Sequence, residues 1–366
     1  MSEKITIIGG GNGGFAAAAD LTIRGHRVTL FEMPEFADNV KAIQQTGGIE
    51  LEVMPGNGLE GGFAKLFSIT TDIKEALSDC DIVFVIAPSY AHAAMAKVAA
   101  PYIREDMIIV LSPANFGGSI IFRRSLIEHG CSSKVQVAEF DCLVYGTRKK
   151  DDLSVLLRAY KHNLGCAVFP SEGSDAIFRR LKGVYPHIIK RDNVLETGVS
   201  NLNTYGHPVW MIGNLFNLDN KKDFVIREGK SESICKMRDG IDKEHMGLRD
   251  IGFDVQPIGE IFLSYYKYQG YNGETTTEFW QNTRLHDNKA PTEIKHRFLN
   301  EDVPFGLVPL EELLEQYNLP HPLITGVINI ASFICDEDFR EKGMKLEYAG
   351  MKGLTVGQLK KYLRYG

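Results

Sequence analysis

The sequence has few of the features that mark disulfide-rich, membrane-spanning or nucleic-acid-binding proteins. Its six cysteines, among 366 residues, show no C-x-x-C spacing, which argues against a disulfide framework and a thiolate zinc site. No apolar run reaches the roughly 18 residues of a transmembrane helix, and Met1 is followed by no signal-peptide pattern. A formal charge of −6 offers no broad basic surface. We therefore expect a cytoplasmic protein with reduced thiols and without membrane, nucleic-acid or metal partners.

The length and the apolar pattern predict two domains. A chain of 366 residues exceeds the size of about 250 to 300 residues that one hydrophobic core supports. In residues 1–195, strand-like apolar runs alternate with helical patterns, which predicts an α/β fold with a doubly wound parallel sheet. The predicted strands lie at 5–8, 27–31, 81–87, 107–111, 135–140 and 162–169. Residues 48–62 are expected to form a hairpin or a loop. Residues 185–193 are expected to form a connection. The spacing in 196–366 predicts a mainly α-helical second domain.

A glycine-rich segment joins the first apolar run to an alanine-rich helical pattern with the spacing G-x-G-x-x-G. In a Rossmann fold, Gly9 would form the tight turn and Gly11 would let the backbone approach a pyrophosphate. Gly14 would let the helix pack closely on its strand. The helix N-terminus is then free to bind phosphates. The candidate cofactor residues here, with Pro88 at the end of a later strand, are Gly9, Gly11, Asn12, Gly13, Gly14 and Pro88.

Glu32 ends the second apolar run, eighteen residues after Gly14. A Rossmann fold places there the acid that binds the adenosine ribose hydroxyls. Such an acid also repels a 2′-phosphate, and no arginine follows within several residues, so we favour NAD as the cofactor and leave NADP open. The alternative is a structural turn with a solvated Glu32.

A two-domain dehydrogenase needs a proton donor beside the nicotinamide. Among ten histidines, His207 is the candidate because Pro208 interrupts a helical pattern, and a bend there would present the ring to the substrate. A carboxylate from the stretch that contains Glu301 and Asp302 would fix its tautomer and stabilise the protonated ring. The plainer alternatives are a histidine that satisfies local polar groups and solvated charges near a helix start.

Four segments, in this order along the chain, together resemble the opine dehydrogenase family. They are the glycine-rich N-terminus, Val-Ile-Ala-Pro-Ser-Tyr-Ala-His at 85–92, Asn-x-Asn-x-x-x-His-Pro at 201–208, and Arg-Phe-Leu-Asn-Glu-Asp-Val-Pro-Phe-Gly-Leu-Val-Pro at 297–309. The resemblance implies that His207 is the catalytic acid/base and Asp302 its carboxylate partner. It also implies an NAD(P)H-dependent enzyme that reductively condenses an α-keto acid, often pyruvate, with the amino group of an amino acid.

Both substrates carry carboxylates, which pair well with guanidinium groups. Arg148 and Arg297 are the candidates, although Arg297 is equally suited to the cofactor pyrophosphate. Asn203 is a further candidate for substrate binding, as is His92 if it is more than a solvated loop histidine. The amino acid is not readable from the sequence, and we expect most of the aromatic residues in 265–271 and 279–280 to be core. A monomer or a homodimer is expected.

Two other classes of NAD(P)-binding protein are alternatives to an opine dehydrogenase. Ketopantoate reductases and 3-hydroxyacid dehydrogenases share the two-domain plan, but many use a lysine at the start of the helical domain, where this chain has His207. A non-catalytic NAD-binding sensor would tolerate the loss of His207 and Asp302.

Overall fold

The structure, a computed structural model, describes residues 2–270 and 273–366. The chain divides into two compact units, one of Met1–Ala114 with Gly118–Lys190 and the other of Asn115–Gly117 with Arg191–Gly366. The chain passes into the second unit at Arg191, close to the boundary expected near residue 195. The division into a cofactor domain at 1–195 and a substrate domain at 196–366 stays a prediction.

The first unit contains strands and helices in alternation. Its strands are β1 (Lys4–Ile8), β2 (Arg27–Phe31), β3 (Gly48–Val53), β4 (Gly62–Lys65), β5 (Ser68–Thr70), β6 (Ile82–Val85), β7 (Ile108–Leu111), β8 (Val137–Phe140), β9 (Tyr145–Lys149), β10 (Ser154–Tyr160), β11 (Leu164–Phe169) and β12 (Ile188–Lys190). Its helices are α1 (Asn12–Ile23), α2 (Asp38–Thr46), α3 (Ile73–Leu77), α4 (His92–Ala99), α5 (Gly118–Glu128) and α6 (Asp175–Val184).

The larger sheet has the strand order β12-β11-β8-β7-β6-β1-β2-β5. Its neighbouring strands are parallel except for β8 and β11, which pair antiparallel. Every residue of β6, β7 and β8 is buried, as expected of strands covered on both faces. This burial explains why β6 and β7 appear in the sequence as continuous apolar runs, whereas β8 includes the buried Glu139.

A second, four-stranded sheet has the order β4-β3-β10-β9. It contains the predicted hairpin, since β3 and β4 pair antiparallel, but β9 and β10 were not predicted as strands. The strand β12 lies in the segment that was expected to be only a connection. Helix α1 contacts strands of both sheets, and its residues from Gly13 to Leu21 are all buried. A helix covered on both sides is apolar all round, which is why α1 is rich in alanine.

The second unit is mainly helical. Its helices are α7 (Val194–Gly198), α8 (Leu202–Gly213), α9 (Leu215–Asp219), α10 (Glu232–His245), α11 (Ile258–Tyr266), α12 (Thr276–Asn282), α13 (Arg297–Asn300), α14 (Val308–Gln316), α15 (Pro322–Cys335), α16 (Phe339–Lys342) and α17 (Val356–Tyr365). A π-helical segment, Val303–Leu307, joins α13 to α14. Helix α8 lies at the centre of this unit, where it contacts α10, α11, α13 and α15.

The predicted fold class, a doubly wound parallel sheet followed by a mainly helical region, is confirmed. All six cysteines are free thiols, five of them buried and Cys131 partly exposed. Within the two described ranges, no helix combines the length and apolarity that a membrane crossing requires.

Candidate active site

The imidazole of His207 is paired with the carboxylate of Asp302. Nδ1 of His207 lies 2.8 Å from Oδ2 of Asp302, so Nδ1 carries the shared hydrogen and Asp302 accepts it. The Asp302 side chain is 2% exposed, whereas that of His207 is 24% exposed. The pair therefore has a buried acceptor and a ring that reaches solvent. Of the two acids left open by the sequence, the structure brings Asp302 and not Glu301 to the histidine.

Helix α8 presents His207 and Asn203 on one face. The helix begins after Asn201, whose side chain accepts a hydrogen bond from the backbone N–H of Asn203 at 3.1 Å. Asn203 and His207 are four residues apart and thus neighbours on the helix surface, and both are partly exposed while Thr204 to Gly206 between them are buried. The helix continues through Pro208 to Gly213. Asn203 is thereby placed beside His207, and its substrate role stays a prediction.

A phenyl ring covers one face of the His207 imidazole. Phe298 stacks on His207 with ring centroids 3.5 Å apart and planes 12° from parallel. Phe298 is held in turn by the edges of Trp210 and His296, at 6.4 Å and 4.6 Å between centroids. Sequence reasoning missed Phe298, although its position four residues before Asp302, about one helical turn, was a usable signal.

The π-helical segment brings the chain close to α8. A Cβ atom on Gly306 would lie 2.4 Å from Oγ1 of Thr204, a distance that real side chains do not reach. Only glycine lets Val303–Leu307 approach α8 this closely, and Asp302 immediately precedes that segment. The Val-Pro-Phe-Gly part of the motif thus has a structural reason.

Arg297 begins α13, one residue before Phe298, and pairs with an acid one turn later. Its Nε is 3.5 Å from Oε2 of Glu301, one turn later, and its side chain is 54% exposed. An exposed guanidinium with one weak partner can turn to an anionic ligand. Both proposed roles of Arg297, toward a substrate carboxylate and toward the pyrophosphate, stay predictions.

The glycine-rich loop has the tight geometry that a dinucleotide site requires. Gly9 has a φ of +117°, and a Cβ on Gly14 would lie 1.7 Å from the carbonyl oxygen of Gly9. A Cβ on Gly11 would meet nothing within 4 Å, so the space above Gly11 is open. Among the described residues no side chain caps the start of α1. This loop fits a pyrophosphate, whose oxygens would be bound by the free backbone N–H groups of the first turn.

Glu32 lies at the expected end of β2, and its carboxylate is held by the protein. It accepts hydrogen bonds from the backbone N–H of Gly10 at 3.0 Å and of Met33 at 2.9 Å, and from Asn39 Nδ2 at 3.1 Å. The residue is 4% exposed. Glu32 is therefore an ordered acceptor beside the glycine loop and not a solvated charge, which fits a ribose hydroxyl.

The other cofactor candidates lie around this loop. Asn12 turns its side chain to the second sheet, where Oδ1 accepts from the backbone N–H of Lys149 at 2.7 Å. A Cβ on Gly13 would come within 2.8 Å of side-chain atoms of Ile86 and Leu143, so Gly13 allows close packing. Pro88 follows β6 and accepts the N–H of Ala91 at 2.9 Å. Their contact with the cofactor stays a prediction.

His92 is placed differently from the expectation. It begins helix α4 instead of projecting from a loop, it is 2% exposed, and its Nε2 lies 3.1 Å from the carbonyl oxygen of Ala87. Burial lowers the pKa of His92 to about 4, so the ring is neutral. The expected loop position of His92 is therefore wrong, because the first turn of α4 carries the ring inward against Phe122, and its substrate role stays a prediction.

Arg148 and the aromatic residues of the helical unit are the remaining candidates for contact with a substrate. Arg148 is exposed on β9, opposite Leu156, and its pairing with a substrate carboxylate stays a prediction. Tyr265, Phe279 and Trp280 are buried, and Tyr271 of the predicted aromatic stretch lies outside the described residues. The indole of Trp280 packs against Gly206, the residue before His207, since a Cβ on Gly206 would lie 3.7 Å from it.

Comparisons with known proteins identify the family of this chain. Residues 190–335 match the family model described as NAD/NADP octopine/nopaline dehydrogenase, alpha-helical domain, and residues 4–113 that of the NAD-dependent glycerol-3-phosphate dehydrogenase N-terminus. The chain is 31% identical over 361 residues to an opine dehydrogenase of Arthrobacter sp. (strain 1C), covering 98% of each chain. The chain belongs to the opine dehydrogenase family. Like the family, it is an NAD(P)-dependent oxidoreductase that acts on the CH–NH group of donors.

Solved structures show the same fold. An octopine dehydrogenase with NADH and L-arginine aligns with a TM-score of 0.76 at 19% identity, covering 100% of this chain and 98% of that one. A yersinopine dehydrogenase with NADP⁺ bound aligns with a TM-score of 0.70 at 13% identity, covering 99% and 98%. The resemblance of the sequence to opine dehydrogenases is therefore confirmed over nearly the whole chain.

Proposed function

We propose that this opine dehydrogenase condenses an α-keto acid, pyruvate first among them, with the amino group of an amino acid to give a secondary amine dicarboxylate. The observation that carries the proposal is the buried Asp302 at 2.8 Å from Nδ1 of the partly exposed His207. The solved octopine dehydrogenases, described with pyruvate and with L-arginine, support this substrate pair.

The protein's part in the reaction follows from the pair. Because Asp302 engages Nδ1, the other ring nitrogen, Nε2, exchanges the proton with the substrate. His207 first accepts a proton from the ammonium group of the amino acid, and the free amine attacks the keto carbon. One proton passes from the attacking nitrogen to the former keto oxygen, and His207 returns its own proton to that oxygen, which leaves as water and gives a protonated imine. Asp302 stabilises the imidazolium before that transfer and keeps the tautomer fixed after it. When bound, the nicotinamide supplies the hydride that reduces the resulting imine.

The substrate carboxylates need cations and polar groups beside His207. Asn203, one turn before it on the same helix face, would donate to a carboxylate, and Arg297 would pair with it or with the pyrophosphate. For the cofactor, we propose that Gly9 to Gly14 receive the pyrophosphate and that Glu32 accepts from a ribose hydroxyl, which favours NAD(H).

The test is NADH oxidation with pyruvate and a panel of amino acids, with the product weighed by mass spectrometry. His207→Ala and Asp302→Asn are compared with His129→Ala, an exposed histidine of the first unit. We expect oxidation to require both keto acid and amine and to collapse only in the first two variants. Oxidation with a keto acid alone would identify a hydroxyacid or ketopantoate-type reductase. Cofactor binding without turnover on any pair would count against the proposal and favour an NAD-binding sensor.

A further inference from the structure

Lys149 links the second sheet to the start of the cofactor loop. It ends β9, and its backbone N–H donates to Oδ1 of Asn12, the first residue of α1, at 2.7 Å. Its Nζ lies 3.8 Å from the centroid of the Phe15 ring and 3.3 Å from the carbonyl oxygen of Asn39 in α2. The side chain therefore crosses the first turn of α1 and brings an ammonium to the start of α2.

Asn39 connects this ammonium with the carboxylate of Glu32. The side-chain Nδ2 of Asn39 donates a hydrogen bond to Glu32 at 3.1 Å. The backbone carbonyl oxygen of Asn39 accepts one from Nζ of Lys149 at 3.3 Å. Partial burial lowers the pKa of Lys149, whereas Asp152, Glu32 and Asp151 favour its charged form. Lys149 and Glu32 thus lie on two sides of one residue, at the end of the loop where the adenosine ribose of a dinucleotide binds.

The eight residues after Glu32 carry no cation, and the first one beyond them is Lys41, which is exposed on α2. Residues 33–40 contain no lysine or arginine, and they include Glu35 and Asp38. Glu32, however, already accepts three hydrogen bonds, two of them from backbone N–H groups. Donors of this kind spread the negative charge and weaken its repulsion of a second anion. A cation from a distant part of the chain also lies here, since Nζ of Lys149 contacts the backbone carbonyl oxygen of Asn39.

We propose that Lys149 is the residue that binds the 2′-phosphate when the cofactor is NADP(H). The inference rests on the proposed cofactor loop. Because the negative charges that act on Lys149 are those of Asp152, Glu32 and Asp151, the expected result is dual use and not exclusive use of NADP(H). A lysine donates to phosphate as a compact charge with three N–H groups, so an arginine at this position would replace it.

The test compares two fragments that differ by the 2′-phosphate alone. The affinities of 2′,5′-ADP and 5′-AMP are measured by calorimetry for the full chain and for Lys149→Gln, Lys149→Arg and Lys150→Gln. Lys150 is the matched control, since it is the next residue and its Nζ pairs with Glu52 on the sheet surface. Losing one charged hydrogen bond of about 1.5 to 3 kcal/mol corresponds to roughly 10- to 100-fold in affinity.

We expect Lys149→Gln to lower the affinity for 2′,5′-ADP by that factor relative to 5′-AMP, and Lys149→Arg and Lys150→Gln to keep the ratio of the unaltered chain. An equal loss for both fragments, an unchanged ratio, or no binding of 2′,5′-ADP by the unaltered chain would overturn the inference. The measurement needs no keto acid or amine. If the proposed reaction is wrong, the role of Lys149 is therefore not affected. If the role of Lys149 is wrong, the proposed reaction is not affected.

Discussion

Phe298 lies flat against the imidazole of His207, with ring centroids 3.5 Å apart, while Asp302 binds Nδ1 of the same ring at 2.8 Å. Both residues belong to one short stretch, α13 and the residue pair that follows it. The stack restrains the plane of the imidazole, and the carboxylate restrains its rotation within that plane. Together they leave the ring one orientation in which to transfer a proton.

Phe298→Leu keeps an apolar side chain but removes the stack. An aromatic pair contributes about 0.5 to 1.5 kcal/mol beyond burial, so we expect kcat to fall about 2- to 10-fold and KM for the keto acid to change less. Phe298→Tyr retains the ring and should retain kcat. Phe333→Leu, at a side chain 84% exposed on α15, is the control. Equal kcat in Phe298→Leu and Phe333→Leu would show that the stack does not position His207.

Asp302→Asn removes the charge from the carboxylate and nearly preserves its shape. Because an amide does not stabilise the imidazolium and can fix the wrong tautomer, we expect kcat to fall by about 10² to 10⁴. Steady-state kinetics with the best amine measures this, beside Glu315→Gln at an exposed acid on α14. A fall smaller than tenfold in Asp302→Asn would assign the catalytic proton to another group.

Gly11 and Gly14 differ in what an added methyl group would meet. Gly11 has a φ of −80° and open space above it, so Gly11→Ala should fold normally with thermal stability close to that of the unaltered chain. The methyl group would occupy the space of the pyrophosphate, and we expect NADH affinity, measured by fluorescence, to fall about 10- to 100-fold.

Gly14→Ala should instead unfold the first unit more easily. Its Cβ would lie 1.7 Å from the backbone oxygen of Gly9, which cannot turn away, so the cost should reach about 3 kcal/mol in denaturant unfolding. Gly357→Ala, at an open position in α17, is the control. If Gly11→Ala binds NADH normally, the pyrophosphate does not lie above Gly11.

The burial of His92 predicts a dependence of stability on pH. Its pKa is about 4 in the folded chain and 6.5 as the ordinary value, so between these pH values the unfolded chain binds more protons. The free energy of unfolding should therefore fall as the pH drops from 6.5 to 4, by roughly 3 kcal/mol from this group. His92→Gln should flatten the slope measured by denaturant titration, whereas His129→Gln, at an exposed position, should not. An unchanged slope in His92→Gln would mean that the buried ring is not neutral.

The sequence by itself determined the features that depend on local spacing. The glycine loop, the apolar runs of β6 and β7, and the helical periodicity after residue 195 are properties of neighbouring residues, and they indicated a doubly wound sheet and a helical region. The motifs at 201–208 and 297–309 were long enough to indicate the family and the roles of His207 and Asp302.

Only the tertiary structure decided the features that join distant parts of the chain. The pairing of β3 with β10 leaves no local signal, because its partners are about a hundred residues apart, and so the second sheet was missed. The same sheet places Lys149 against Asn39, and no sequence pattern near Glu32 predicted this contact. His92 was expected in a loop because it follows the end of a strand, whereas it begins α4 and packing turns its ring inward. Spacing identifies residue types along one element, whereas contacts between elements are set by packing.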